Sequence, residues 1–475
     1  MSVEAKEITV DAGLQQCLTA DQSLKFRVVC FSAQNGQLDF YVAQSSRESS
    51  LVDELELITG EKVKLTPVAD ELVERALKRF FRQSEKKETT YHFSANRDVL
   101  QDMLKEAKDM NASDIHFEVY EDRARIRFRI DGHLMERYSV PISEYPALVN
   151  RIKVTSKLDI AERRLPQDGR IMVNTDEYAF DIRVSIVPTL HGEKAVLRLL
   201  SRDATDIQIE KLGFANSQLS TYLESARKPQ GIILISGPTG SGKTTTLYAT
   251  LKVLNEESRN ILTIEDPIEY TLEGINQVQL NERIGLDFGK ALRTFLRQDP
   301  DVIMLGEIRD AETAAMAVRA ALTGHLVLST VHTNSAWGTI SRLTDMGVPA
   351  YLIAETLNLS VAQRLVRKLC PECKEQGKLE EGQLPRSLGA EYVGTDYFKP
   401  AGCESCYYTG YSGRKALYEV IPIDHDLATD IRKEHADVRA ELKKRKVLSI
   451  PDQALNLLKN GETSVEEVYS LLLNT

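Results

Sequence analysis

Hydrophobic positions along this chain change their period several times, and each change marks a different kind of element. Two short apolar runs, 26–31 and 38–42, flank Asn35-Gly36. That dipeptide tolerates the positive φ of a tight turn, so a hairpin of two strands is predicted. Leu72, Val73, Ala76, Leu77, Phe80 and Phe81 then recur at three- and four-residue spacing, which predicts an amphipathic helix. Polar residues fill 82–96, including Glu85-Lys86-Lys87-Glu88, and read as a linker. The chain thus opens with a small α/β domain over residues 1–82, followed by a linker over 83–96.

A second α/β domain is predicted over 97–204. Val99, Met103, Leu104 and Ala107 share a helix face, and strands follow at 125–130 and 134–140 around Asp131-Gly132. After another helix, segments 171–174, 180–187 and 195–200 alternate as strands, so the sheet is antiparallel and half-buried. Ala124, Ile126, Phe128 and Ile130 fall on one face of their strand, and Arg123, Arg125, Arg127 and Arg129 on the other. The arginine row is either a solvated face or a surface facing another subunit, with nucleic-acid contact a minor third option.

From residue 205 to 366 the period changes again. Continuous apolar runs at 232–235, 261–264, 302–305 and 326–331 are separated by helical patterns. Runs without alternation are strands buried on both faces, so a largely parallel sheet covered by helices is predicted. Ligand should sit at the carboxyl ends of those strands. A cysteine-bearing segment, 367–412, and a C-terminal helical region, 413–475, complete the chain.

The first of these strands runs directly into Gly237-Pro238-Thr239-Gly240-Ser241-Gly242-Lys243-Thr244, and Leu247, Leu251 and Leu254 mark the helix that follows. Strand, glycine-rich loop and helix are the context in which backbone N–H groups cradle phosphate oxygens. Lys243 can reach the β- and γ-phosphates, the Thr244 hydroxyl can ligate Mg²⁺, and Thr245 extends the loop into the helix. The chain is therefore expected to bind a nucleoside triphosphate. The other strands end in chemistry too: Glu265, Asp266 and Glu269 after the second, Glu307, Arg309 and Asp310 after the third, His325 and His332 around the fourth. Cleaving a γ-phosphoryl group needs a metal-bound phosphate, an oriented water and positive charge. Glu307 is the natural residue to polarise water, since Gly306 stands where many phosphate-loop enzymes carry Asp. The two histidines together are candidates to sense the γ-phosphate through hydrogen bonds.

Cys370/Cys373 and Cys403/Cys406 form two Cys-x-x-Cys pairs. Four thiolates close a tetrahedral shell with no open position, so a structural zinc site is predicted in this lobe. Cys17 and Cys30 stand alone and read as buried small hydrophobes. The formal net charge of −10 argues against a nucleic-acid translocase, which needs a basic footprint. No apolar run approaches the roughly 18–20 residues that span a bilayer, and the first 13 residues lack a signal peptide's apolar stretch. A cytoplasmic protein is expected, its membrane association made through a partner.

The phosphate loop, Thr-Ile-Glu-Asp-Pro-Ile-Glu (263–269), Leu-Arg-Gln-Asp-Pro-Asp-Val-Ile-Met-Leu-Gly-Glu-Ile-Arg-Asp (296–310) and Thr-Gly-His-Leu-Val-Leu-Ser-Thr-Val-His-Thr-Asn (323–334) resemble the secretion ATPases. These power type II secretion and type IV pilus assembly. Ala-Ser-Asp-Ile-His-Phe-Glu (112–118) and Leu-Pro-Gln-Asp-Gly-Arg-Ile (165–171) resemble the domain that precedes the motor in that family. The resemblance covers residues 97–475. It implies a RecA-like P-loop ATPase domain, a preceding antiparallel α+β domain of PAS-like form, and a homohexameric ring hydrolysing ATP with Mg²⁺. It implies that Glu307 is the catalytic glutamate, that Glu265 and Glu269 form an acidic box near Mg²⁺ and water with Glu269 in the more direct role, and that His325 and His332 form a histidine box. It also implies that Arg183, Arg198, Arg293 and Arg309 contact phosphate, some across domain or subunit boundaries. The cysteine quartet resembles the assembly and secretion branch rather than the retraction branch. The partners implied are an inner-membrane platform protein and a cytoplasmic domain of a membrane protein. Two other readings remain: a DNA- or conjugation-associated ring ATPase, and a non-hydrolysing nucleotide-gated scaffold.

Overall fold

The structure is a computed structural model. It describes residues 17–18, 20–34, 37–46, 51–80, 99–174, 179–201, 207–380, 382–385, 388, 392–433 and 438–473. The linker expected at 83–96 lies outside the described residues. The chain divides into two compact units, Met1–Tyr91 and His92–Thr475.

The first unit contains α1 (Ala20–Phe26), β1 (Val28–Gln34), β2 (Gln37–Ala43), α2 (Leu51–Thr59), β3 (Lys62–Val68) and α3 (Asp70–Phe80). β1 and β2 pair antiparallel down to Gln34 opposite Gln37, the separation a two-residue hairpin requires; Asn35 and Gly36 themselves lie outside the described residues. β3 joins β2 in parallel. Phe26 belongs to α1 rather than to the strand, and Arg27 at φ 51° makes the break. Val28, Cys30, Phe40 and Val42 pack with Leu51 and Leu55 on one face of the sheet. Val29, Ala43 and Val68 pack with Val73, Ala76 and Leu77 on the other.

The second unit begins with α4 (Val99–Asp109), β4 (Ala112–Val119), β5 (Ala124–Ile130), β6 (His133–Val140), α5 (Tyr145–Thr155), β7 (Gln167–Asn174), β8 (Ala179–Thr189) and β9 (Gly192–Ser201). The six strands form one antiparallel sheet in the order β6-β5-β4-β9-β8-β7, with α4 packed on β4 and α5 on β9. β5 alternates as the sequence requires: Ala124, Ile126, Phe128 and Ile130 are buried and the arginines between them are half-buried.

Those arginines do not form a solvated face. Central strand β4 presents Asp114 and Glu118 to them. Glu118, 5% exposed, accepts from Arg125 Nε at 3.0 Å, Arg127 Nε at 2.8 Å and Lys194 Nζ at 3.1 Å. Asp114 accepts from Arg198 Nε at 3.0 Å and lies 3.5 Å from Arg129 Nε. Burial alone would raise the Glu118 pKa, but the three cationic donors outweigh it and bring it to about 2. A strand absent from the sequence-based expectation, β4, supplies the carboxylates that pair with this row.

After α6 (Asn216–Ala226) comes the second sheet: β10 (Gly231–Ser236), α7 (Lys243–Leu254), β11 (Ile261–Glu265), β12 (Asn276–Gln279), α8 (Phe288–Phe295), β13 (Val302–Leu305), α9 (Ala311–Leu322), β14 (Leu326–Val331), α10 (Gly338–Asp345), α11 (Ala350–Thr356) and β15 (Leu357–Leu369). The short strands β16 (Glu375–Lys378) and β17 (Asp396–Lys399) pair with each other, and β18 (Tyr411–Pro422) returns to the large sheet. Helices α12 (His425–Lys433), α13 (Val438–Lys444), α14 (Ile450–Lys459) and α15 (Val465–Leu472) follow. The strand order is β12-β11-β13-β14-β10-β15-β18, parallel except for β18, which runs antiparallel to β15. Ile232 and Leu234 on one face of β10 and Ile233 and Ile235 on the other enter two separate apolar clusters, which is why the run shows no alternation. The segment from residue 413 is therefore not helical throughout; its first ten residues complete the motor sheet, and the helices begin at His425. Among the described residues no helix is long and apolar enough to cross a membrane.

Candidate active site and metal centre

β10 delivers the chain into the phosphate loop, and α7 begins at Lys243. Gly237 has φ 149°, and a Cβ there would lie 2.4 Å from the Gln363 carbonyl on β15, so only glycine fits this close approach. The Lys243 ammonium donates to the carbonyls of Gly237 at 2.7 Å and Pro238 at 3.0 Å, and burial lowers its pKa. Among the described residues the Ser241 hydroxyl is buried with no hydrogen-bond partner. A lysine turned onto its own loop and an unsatisfied hydroxyl beside a helix N-terminus make a donor set that an anion completes. Thr246, one turn into α7, is held by Gln363 at 2.9 Å and the Tyr418 hydroxyl at 3.1 Å, so β15 and β18 support the loop.

Glu307 follows β13, and its side chain is 17% exposed. One carboxylate oxygen accepts from Arg309, and the other lies 3.3 Å from His332 Nε2 at the end of β14. The Arg309 hydrogen bond is the first cause that holds the Glu307 pKa below its ordinary value, so the group stays ionised. Arg309 also stands 3.9 Å from Asp266, tying the tips of β13 and β11 together. An ionised, half-buried carboxylate with fixed neighbours can orient a water and accept its proton. Asp310 is a helix cap: it accepts the Thr313 amide at the start of α9.

A cleft of about 1550 Å³ gathers these groups. Thr239 to Thr245, Asp266, Glu269, Glu307 and His332 line it from the motor side, and Asp114, Arg129, Asp131 and Arg198 from the preceding domain. Arg183 and Arg198 face each other across β8 and β9. Arg183 crosses to the motor, donating to the Ile268 carbonyl and lying 3.5 Å from Glu269.

Of the residues expected around the phosphate, Arg183, Arg293, Arg309 and His325 do not line this cleft. His325 and His332 flank β14 at opposite ends, about 20 Å apart for a strand of this length, so one chain cannot bring both to one phosphate. Only His332 lies in the cleft; His325 Nδ1 bonds the Ala320 carbonyl at 2.9 Å and closes the end of α9. Arg293 on α8 pairs with Glu312 on α9 and lies outside the cleft this chain forms. Glu265 reaches the cleft wall, yet it is 3% exposed and both oxygens are taken, by Thr263, Gln277 and Tyr248. Three internal hydrogen bonds thus fix its orientation, with one acceptor site of Oε2 left over. Tyr248, Gln277, Gln363, Tyr418 and Asp114 were not foreseen as site residues; each acts through a partner distant in sequence, and no short motif contains the pair.

The four cysteines converge. All four Sγ atoms lie within 4.8 Å of one another, with Cys370–Cys403 at 3.9 Å, Cys373–Cys406 at 3.7 Å and Cys403–Cys406 at 3.8 Å. Four sulfurs set tetrahedrally at about 2.3 Å from a metal stand about 3.8 Å apart, so the quartet fits such an ion. No pair is disulfide-bonded. Amides of Cys403 and Gly410 each donate to Cys406 Sγ at 3.2 Å; burial raises that thiol's pKa, but these donors outweigh it and bring it to about 7. Gly410 has φ 78°, and a Cβ there would meet Pro400 at 2.3 Å.

Comparison with known proteins agrees with this geometry. The family described as "Type II/IV secretion system protein" matches residues 91–470. The "Type II secretion system protein E" of Aeromonas hydrophila is 47% identical over 368 residues, covering 77% of this chain and 73% of the relative. The "Type IV pilus assembly ATPase PilB" of Myxococcus xanthus is 46% identical over 376 residues, covering 77% of this chain and 66% of the relative. The crystal structure of the pilus retraction motor PilT with bound ADP superposes with a TM-score of 0.54 at 26% identity, covering 78% of this chain and 95% of that one. The chain therefore belongs to the type II/IV secretion system protein family, the family of the secretion and pilus-assembly ATPases.

Proposed function

We propose that this secretion-family ATPase hydrolyses ATP in the cleft between its antiparallel-sheet domain and its motor, and that closure of the two domains performs mechanical work on a secretion pseudopilus or a type IV pilus. The observation that carries this reading is the opening of Lys243 and Glu307 into one cleft whose opposite wall supplies Arg198. In this reading the loop from Gly237 to Thr245 binds the triphosphate, and Glu307 orients the attacking water and takes its proton. Arg309 and His332 hold Glu307, and Glu269 serves the same water from the neighbouring strand tip. Thr244 would hold Mg²⁺, which supplies charge neutralisation at the β- and γ-phosphates. Arg183 and Arg198 add positive charge only when the preceding domain is docked, which ties turnover to motion.

The domain order follows the same reading: residues 1–82 dock a partner, 97–204 close on the nucleotide, 205–366 form the motor core, and 367–412 fold around zinc. The S···S distances support zinc in a closed structural shell. Arg293, outside this chain's cleft, would act on a neighbouring copy, which favours a homohexamer. The ring would sit in the cytoplasm against the inner membrane through a platform protein and a cytoplasmic domain of a membrane protein.

The deciding experiment is phosphate release by the purified chain with ATP and magnesium, beside Lys243→Ala and Glu307→Gln. Loss of turnover in both variants is expected; turnover like wild type in both overturns the reading. Metal analysis should find one zinc per chain and none after Cys373→Ser with Cys406→Ser.

A further inference from the structure

Glu265 accepts three hydrogen bonds from inside the protein, and its partners lead away from the phosphate. Oε1 accepts from the Thr263 hydroxyl at 2.6 Å and from Gln277 Nε2 at 3.0 Å, and Oε2 accepts from the Tyr248 hydroxyl. Tyr248 is fully buried on α7, five residues past Lys243 on the helix that the phosphate loop starts. Burial, and then the charge of Glu265, raise its phenol pKa far above the usual range, so it remains a donor.

Its oxygen also accepts. The Glu269 amide donates to it at 3.3 Å. Gln277, on edge strand β12, fastens the rest of the same loop: it donates to the Tyr270 carbonyl at 3.2 Å and accepts the Leu272 amide at 2.7 Å. The Tyr270 ring stands edge-on to Tyr248 with centroids 4.5 Å apart. Segment 266–272 is thus held from within by side chains of α7 and β12. From outside, Arg183 on β8 of the preceding domain grips it at the Ile268 carbonyl and the Glu269 carboxylate.

We infer that Tyr248 is a positioning residue that links the nucleotide-bearing helix to domain docking. Its hydroxyl, oriented by Glu265, fixes the backbone at Glu269 so that this loop is presented to Arg183. The inference deepens the reading of the cleft as an ATPase site and rests on it. A loop held this way transmits a displacement of α7 to the arginine of the closing domain; without the hydroxyl the loop detaches from the helix while the phosphate cradle stays intact.

The test uses the full chain, with steady-state ATP hydrolysis in magnesium as readout. Tyr248→Phe removes one oxygen. A fall in kcat of about tenfold is expected, with KM for ATP within twofold of wild type, because the phosphate loop does not contact the hydroxyl. Arg183→Ala should lower kcat alone but add less than twofold in the Tyr248→Phe background, since both act through Glu269. A wild-type kcat for Tyr248→Phe, or multiplicative losses in the double variant, overturns the inference. If Tyr248→Phe does not fold, Gln277→Met, which releases Tyr270 and Leu272 from the same loop, must show the same kcat-only loss and the same non-additivity; multiplicative losses there overturn it equally. The control is Glu307→Gln. If wild type shows no turnover that this variant abolishes, the ATPase reading itself fails; if it does, a failure of Tyr248→Phe bears on the positioning role alone.

Discussion

The two large sheets of the second unit solve opposite problems with polar residues. The motor sheet is covered on both faces, so β10, β13 and β14 hold apolar clusters along their length and keep their chemistry at the carboxyl tips. The antiparallel sheet carries its helices on one face, and on the other β4 and β5 pair charge strand against strand. Glu307 at a motor tip is thereby available to substrate, whereas Glu118 on the other sheet's face is bound to its neighbours. Substituting Glu307 should cost turnover, and substituting Glu118 stability.

The sharpest way to break that contrast is Glu307→Gln. Loss of the carboxylate base should lower kcat by roughly a hundred- to ten-thousand-fold, while nucleotide affinity and melting temperature stay close to wild type. Turnover within tenfold of wild type would place the chemistry elsewhere. Glu118→Gln should do the reverse. It leaves Arg125, Arg127 and Lys194 without their common carboxylate and should cost on the order of 2–3 kcal/mol of stability, read from the urea midpoint. The pH dependence has a definite sign. The native pKa of Glu118, about 2, lies below its ordinary value of 4.5, so the carboxylate stabilises the fold fully above about pH 5. That contribution drains away as pH falls from 5 towards 2, and the acid limb of the stability curve should flatten in the Gln variant. A midpoint indistinguishable from wild type at pH 7 would mean the face is solvated after all.

The smallest difference expected is also the most specific. His332→Ala should reduce kcat about tenfold because it touches Glu307, while His325→Ala, at the far end of the same strand, should stay within twofold and show only a small loss of stability. Equal kcat losses in both would indicate that His325 reaches a nucleotide, and only another copy of the chain could bring it there.

Local pattern carried much of this fold. The four unbroken apolar runs became β10, β11, β13 and β14, and the alternation at 124–130 became β5. The phosphate loop was legible because strand, loop and helix are contiguous, and the cysteine quartet because its spacing is a chemical signature. What the pattern could not supply was partnership. β18 lies beyond the cysteine lobe in sequence, and nothing local says that it pairs with β15. The arginine row read as exposed because its acidic partners stand on another strand. The resemblance favours Glu269 over Glu265 for a direct role, but the reason is three-dimensional: Tyr248, Thr263 and Gln277 anchor Glu265, while Glu269 stands at the domain boundary beside Arg183. The two histidines were grouped because they bracket one strand, and bracketing a strand is what separates them.

The late return of β18 has a consequence for how the protein is made. The cysteine lobe is spliced between β15 and the strand that covers its edge, so a nascent chain presents the N–H and C=O groups of β15 to any passing partner until residue 422 has left the ribosome. A metal ion captured at Cys370, Cys373, Cys403 and Cys406 would draw the two strands into register as soon as they emerge. Scarcity of that metal during synthesis would then surface as aggregation of the newborn motor rather than as a slow enzyme.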